Sequence, residues 1–472
     1  MRKYLAERYQ LVLLLLSWVV AAQVLPAAVM VLVPITIILL RQKEDWAGVL
    51  MCMLVVLALS DVRKDIPSMA YFKTVKNICV VLMAGFFLIA QRRFVPQARV
   101  FPIFLPFFLY SAFPLLFSPD LSTGVQKTIS YALIFLVVPN YVLFCYRSRG
   151  WEFFRHLIFL IVLLLLSGLV LRFVSPNHAF VGGRFHGVFG NPNGLAIFCL
   201  LAFMLVTVLI TVNKYLFSRW EMILIYAMIL YCLILSGSRG SLAAVVIYLT
   251  IQRFFSYSPV IGLMVMLAFM AVIEVVTSNI GAIITSLGLE EYFRLHTLEE
   301  GSGRYFAWEF AWQRIQEYFF FGGGFATDET VMRRYYRYLE RMGHQGGVHN
   351  SYLSMWFNVG IVGLIIYFRS FVLLFIKAAK QTRTAMAVLF ATLFSINYES
   401  WLVGSLNPYT IMLLIIMTVI SEPEITQGAL DPAQDADPTP DGEASVITDG
   451  MTPPAIGPGV TGRVYFAPQR LT

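Results

Sequence analysis

Charge is scarce in this chain: 13% of its 472 residues are Asp, Glu, Lys or Arg, while 58% are apolar. Soluble domains carry about a quarter charged residues, so an ordinary water-exposed globule is excluded. Cysteine is equally sparse. The five present (Cys52, Cys79, Cys145, Cys199 and Cys232) lie inside apolar runs without metal-ligand spacing, which reads as packing. Six scattered histidines form no H-E-x-x-H motif, so neither a catalytic metal nor another cofactor is expected. The apolar runs are continuous, and the alternating segments of a transmembrane β-barrel are missing.

What is present is a succession of apolar runs from Leu11 to Ile420, several near the roughly 20 residues that span a bilayer. The fold class expected is therefore all-α: a polytopic transmembrane helical bundle of 12 to 14 spans. These spans start at 11–22 and 26–40 and finish at 350–376, 385–397 and 409–420. The organisation expected is N-terminal membrane helices over 1–276, a long outer loop over 277–348, and C-terminal membrane helices over 349–420. A Pro- and Gly-rich tail follows over 421–472. That tail holds eight acids against Arg463 and Arg470, a net of −6 that leaves +14 on the membrane body. Such a surplus sets topology and does not imply nucleic acid. With the N-terminus inside, seventeen Lys and Arg fall in the inner loops and eight in the short outer loops. Both termini are thus expected in the cytoplasm, with the acidic tail disordered there.

Three outer segments break the charge bias by placing Arg beside Gly, Ser or Asn: "GGRFHGVFGNPNG" (Arg184, His186, Asn191, Asn193), "SGSRGS" (Ser236, Ser238, Arg239) and "GSGRYFAWEF" (Arg304). The guanidinium fork suits phosphate oxygens, and neighbouring glycines let backbone N–H groups approach an anion. Each Arg also reads as an ordinary loop cap or snorkelling side chain, so an outer-face anion site is one of two readings. After Arg304, apolar residues at Phe306, Trp308, Trp312, Ile315 and Phe319 mark an amphipathic helix ended by Gly322-Gly323-Gly324. It lies either on the membrane or against its own domain. His349 and Asn350 stand at the doorway of the next apolar run, where a histidine is either an interfacial cap or a base working near neutral pH. Two acids, Glu274 and Glu399, fall near outer helix ends as interfacial or functional carboxylates.

The ordered set "GGRFHGVFGNPNG", "LSGSRGSLAAVV", "GRYFAWEFA", "FGGGF" and "VHNSYLSMWFNVGIVGLI", over roughly 180–364, resembles the O-antigen ligase and O-antigen polymerase superfamily. The resemblance implies a GT-C-like glycosyltransferase of the bacterial inner membrane that needs no metal. It would move a glycan from an undecaprenyl-diphosphate-linked donor to a saccharide acceptor at the periplasmic face, either the lipid A-core or a growing glycan. His349 matches the general base and Arg184, Arg239 and Arg304 the diphosphate contacts. Asn350, His186, Asn191, Asn193, Ser238 and Glu399 are candidates to hold the acceptor or support these groups. The rival expectation is a flippase for the lipid-linked glycan, which would use the same arginines and need no base.

Overall fold

Long runs of Leu, Val, Ile and Phe form helices because a chain in lipid must satisfy its backbone groups internally. The computed structural model describes residues 2–62, 67–255, 304–341 and 347–428, with isolated positions between 257 and 286. The chain divides into two units, Met1–Leu430 and Asp431–Thr472; the description that follows concerns the first.

Helices α1 (Arg2–Val24), α2 (Val29–Gln42), α3 (Trp46–Ser60), α4 (Ala70–Ile89), α5 (Val100–Ser111), α6 (Leu121–Arg149) and α7 (Trp151–Val174) follow one another. After the short α8 (Pro176–Ala179), a two-residue hairpin pairs Val181 with Arg184. Then come α9 (Pro192–Val212), α10 (Arg219–Ser236) and α11 (Arg239–Phe255). The long segment after α11 contributes α12 (Arg304–Ile315), α13 (Thr327–Arg334) and α14 (Tyr336–Arg341). The chain closes with α15 (Ser351–Ala379), α16 (Ala385–Ser395), α17 (Pro408–Ser421) and α18 (Pro423–Gly428).

The architecture is an all-α polytopic bundle. Among the described residues, seven helices are long and apolar enough to cross a membrane, and four shorter apolar helices accompany them. The expected span at 259–276 lies outside the described residues. Helical structure continues to Gly428, past the position 421 at which the tail is expected to begin. Every residue of α3 and α17 is buried, so these two helices are enclosed by the others.

Short polar side chains start the helices at one end of the bundle. Asp120, Asn191, Asn350 and Asn407 each accept from a backbone N–H of the first turn of α6, α9, α15 and α17. Each cap satisfies a donor that would otherwise be orphaned.

Helix α12 is amphipathic, as its spacing predicts: Ile315 of the expected face is buried and Phe306 and Phe319 pack beside it, while two alanines and Phe310 complete the buried face. Ala307, Phe310, Ala311 and Ile315 pack with Val331, Met332, Leu339, Val348 and Phe357. Trp312 of the expected face is exposed. The alanines let α12 come close to its neighbours, so the helix lies against its own domain.

Helix α15 is broken at Gly360, whose φ of 65° and ψ of −179° are non-helical. The segment "FFFGGGF" fills the break. Gly323 N and Gly324 N donate to Phe357 O and Asn358 O at 2.9 and 2.8 Å, and Ile361 N donates to Phe319 O at 2.8 Å. A Cβ on Gly360 would collide with the backbone of Phe320 and Phe321. The glycines that the sequence presents as a helix stop are thus also a docking segment for the next span.

Candidate functional site

His349 immediately precedes the Asn350 cap, whose Oδ1 accepts from Tyr352 N and Leu353 N at 2.9 and 3.1 Å. The start of α15 is clasped to the segment after α16. Ser351 N donates to Ile396 O at 2.8 Å, Ser351 Oγ to Glu399 O at 2.7 Å, and Asn350 N to Ser400 Oγ at 3.0 Å. This clasp holds His349 at a φ of 49°, in the left-handed region that a residue with a Cβ normally avoids at a cost of about 1–2 kcal/mol. Strain that surrounding contacts over-determine concentrates at functional sites.

The imidazole Nδ1 lies 3.0 Å from Glu399 Oε2. An ionised carboxylate only accepts, so Nδ1 carries the hydrogen and Nε2 is the basic nitrogen. The other carboxylate oxygen, Oε1, accepts from Asn193 Nδ2 at 2.7 Å. Arg184 orients that amide by donating to Asn193 Oδ1 at 2.7 Å, while its Nε donates to Ser236 O at 2.8 Å. A directional chain thus runs from Arg184 through Asn193 to Glu399 and His349. It joins the hairpin, α9, the end of α10 and the start of α15.

Arg239, the first residue of α11, belongs to the same neighbourhood: a Cβ on Gly237 would lie 3.6 Å from Arg184 Nε, and one on Gly240 3.8 Å from the Tyr398 ring. Ser238 Oγ is turned to Ser241 Oγ at 3.4 Å. Asn191 caps α9. His186 is buried, and its Nδ1 donates to Phe189 O at 2.6 Å, bracing the turn before α9. Arg304 opens α12, and its side chain lies outside what the structure describes, as do Glu274, His296 and His344.

A cavity of about 300 Å³ opens beside His349 and Glu399. Its wall includes Asp61, Asp328, Asn358 and Tyr409, none of which stands out in the chain as a motif. Asp61 accepts from Tyr409 Oη at 2.7 Å and from Gly190 N at 3.3 Å. Gly190 fits because a Cβ there would strike the Asp61 carbonyl. Burial pushes the Asp61 carboxyl above its usual range against the pull of those hydrogen bonds. Burial also raises the Asp328 carboxyl, helped by Glu329 beside it and opposed by Lys127. Of these residues, Asn358 carries a readable signal, a primary amide within an apolar run.

Residues 222–368, from α10 to the middle of α15, match the family model described as O-Antigen ligase. The match takes in Arg239, Arg304 and His349, whereas Arg184, Asn193 and Glu399 lie outside it. No curated protein gives a significant match to the chain.

Proposed function

We propose that the chain is a glycosyltransferase that moves a glycan from a lipid diphosphate to a saccharide acceptor, with His349 as general base. The observation that carries this reading is the Glu399–His349 hydrogen bond in the wall of the cavity. Glu399 holds the tautomer in which Nε2 takes the proton of an acceptor hydroxyl and stabilises the imidazolium that forms. The hydroxyl oxygen attacks the anomeric carbon as the bond to the diphosphate oxygen breaks. The electron pair leaves on that oxygen, and attack from the opposite face inverts the configuration.

Charge develops on the leaving diphosphate, so donors already in place lower the barrier. In this reading Arg184, Arg239 and Arg304 supply them. No metal enters this scheme. The charge bias of the loops supports a cytoplasmic N-terminus and a site on the periplasmic side of a bacterial inner membrane. There an undecaprenyl-diphosphate glycan is the donor and the lipid A-core or a growing glycan the acceptor.

The test is transfer by His349→Ala in membranes supplied with lipid-linked donor, after normal insertion is verified. Transfer should fall by about 10²–10⁴-fold, the span of general-base contributions, with donor binding retained. Undiminished transfer would remove His349 from the mechanism.

A further inference from the structure

Asn358 and Asp328 form a polar spot inside the cavity that the chemistry above does not use. Asn358 is 1% exposed and lines the cavity, yet its Nδ2 has no hydrogen-bond partner among the described residues. A buried amide N–H left without a partner costs stability, and it persists where a ligand completes it. Beside it lies Asp328, 8% exposed, whose backbone N–H donates to Asn358 Oδ1 at 3.4 Å. Between them the two side chains bring an amide donor and a carboxyl group, the latter also held by Ser354, to the cavity wall. That is the complement of two neighbouring hydroxyls on a sugar ring, one accepting and one donating.

The charge of the cavity narrows the choice. Asp61, Asp328, Glu329 and Glu399 line it against Lys127 and His349, and Lys127 is already paired with Glu329. Phosphate or carboxylate brought there would meet like charge at short range. About 300 Å³ is at the lower end for small-molecule sites, roughly 300–1,000 Å³, which gives room for one ring.

We infer that this cavity is the acceptor subsite. It takes an uncharged sugar residue, read by Asn358 and Asp328, and rejects acidic or phosphorylated ones. The inference rests on the proposed transfer reaction. It adds that the acceptor ring is held by residues other than the diphosphate contacts, since Arg184 and Arg239 are not among the residues lining the cavity.

The experiment is saturation-transfer NMR on the full chain in lipid nanodiscs. The probes are the methyl glycosides of glucose, galactose and N-acetylglucosamine, with methyl glucuronide for comparison and inorganic pyrophosphate as competitor. A neutral glycoside should bind saturably, about tenfold more weakly in Asn358→Leu, within the range of one lost hydrogen bond to a buried group. Glucuronide should not bind, and pyrophosphate should not compete. The near-isosteric Asp328→Asn should weaken the same glycoside and keeps the test decisive if the leucine variant misfolds. No binding by any neutral glycoside, equal binding by both variants, binding of glucuronide, or competition by pyrophosphate would each overturn the subsite. Binding is read without transfer, so loss of transfer in His349→Ala combined with any of those outcomes leaves the base standing and the subsite refuted. Undiminished transfer in His349→Ala strikes at the earlier reading instead.

Discussion

Helix α3 begins after one aspartate and ends before another, and the two sit in opposite surroundings. Asp45 accepts from Arg8 at 2.6 Å and from Arg149 at 3.0 Å while capping Gly48 N. At the same end of the bundle Arg147 grips Glu424 through two bonds of 2.7 Å, and Arg99 N donates to Glu422 at 2.6 Å. Asp61, at the other end, has neutral donors from Tyr409 and Gly190 and no ion-pair partner among the described residues. Asp328 and Asn358 share that end. The difference teaches where charge is spent. Paired ions fasten helices together, whereas buried carboxyl groups held by neutral donors are kept ready for something else.

Substitutions at the two ends should separate the groups that support chemistry from those that support the fold. Glu399→Gln should have the largest effect, lowering turnover by about 10²-fold while leaving thermal stability close to wild type. Steady-state transfer beside a melting curve decides it, and a matched loss of stability would put Glu399 with the fasteners. Asp45→Ala should do the reverse. It removes a helix cap and leaves Arg8 and Arg149 without their acid, so stability should drop by about 2–3 kcal/mol with transfer per folded molecule unchanged.

Asp328→Asn gives a smaller effect whose size depends on pH. An acid whose pKa is raised in the folded state favours folding while protonated. That contribution is intact below the ordinary carboxylate pKa and is lost as pH climbs through the raised value. The asparagine variant should therefore melt higher than wild type at neutral pH and lose that advantage as pH falls toward about 4. A constant difference across that range would mean that burial does not penalise the Asp328 charge. The smallest effect belongs to Arg147→Gln, whose partner Glu424 is 42% exposed. It should cost under about 1 kcal/mol and less in high salt. A larger loss would mark the contact as a true fastener.

Apolar runs made the helices legible, since lipid leaves a chain few alternatives. His349, Arg184 and Asn193 were also legible as polar residues out of place beside helix starts. Their connection was not. Glu399 is 50 positions from His349 and 206 from Asn193, and nothing local specifies a contact made by antiparallel spans. Asp61 and Asp328 give no such signal, because each reads as an ordinary polar residue near a helix end. The break at Gly360 was hidden for another reason: "NVGIVGLI" is uniformly apolar, and glycine is tolerated in membrane helices without interrupting them. Its cause lies in the segment 319–324, which supplies the missing hydrogen bonds from elsewhere in the chain.

That exchange has a consequence for how the protein assembles. A continuous span can become ordered by itself, but α15 cannot complete its middle until residues 319–324 arrive. The span and the segment 319–324 should therefore open and close as one cooperative unit. In native-state hydrogen exchange, the amides of Gly323, Gly324 and Ile361 should share a single opening free energy, although two belong to a loop and one to a membrane helix. The floor that carries Asn358 would then be as durable as the bundle itself, even though half of its support comes from outside the membrane helices.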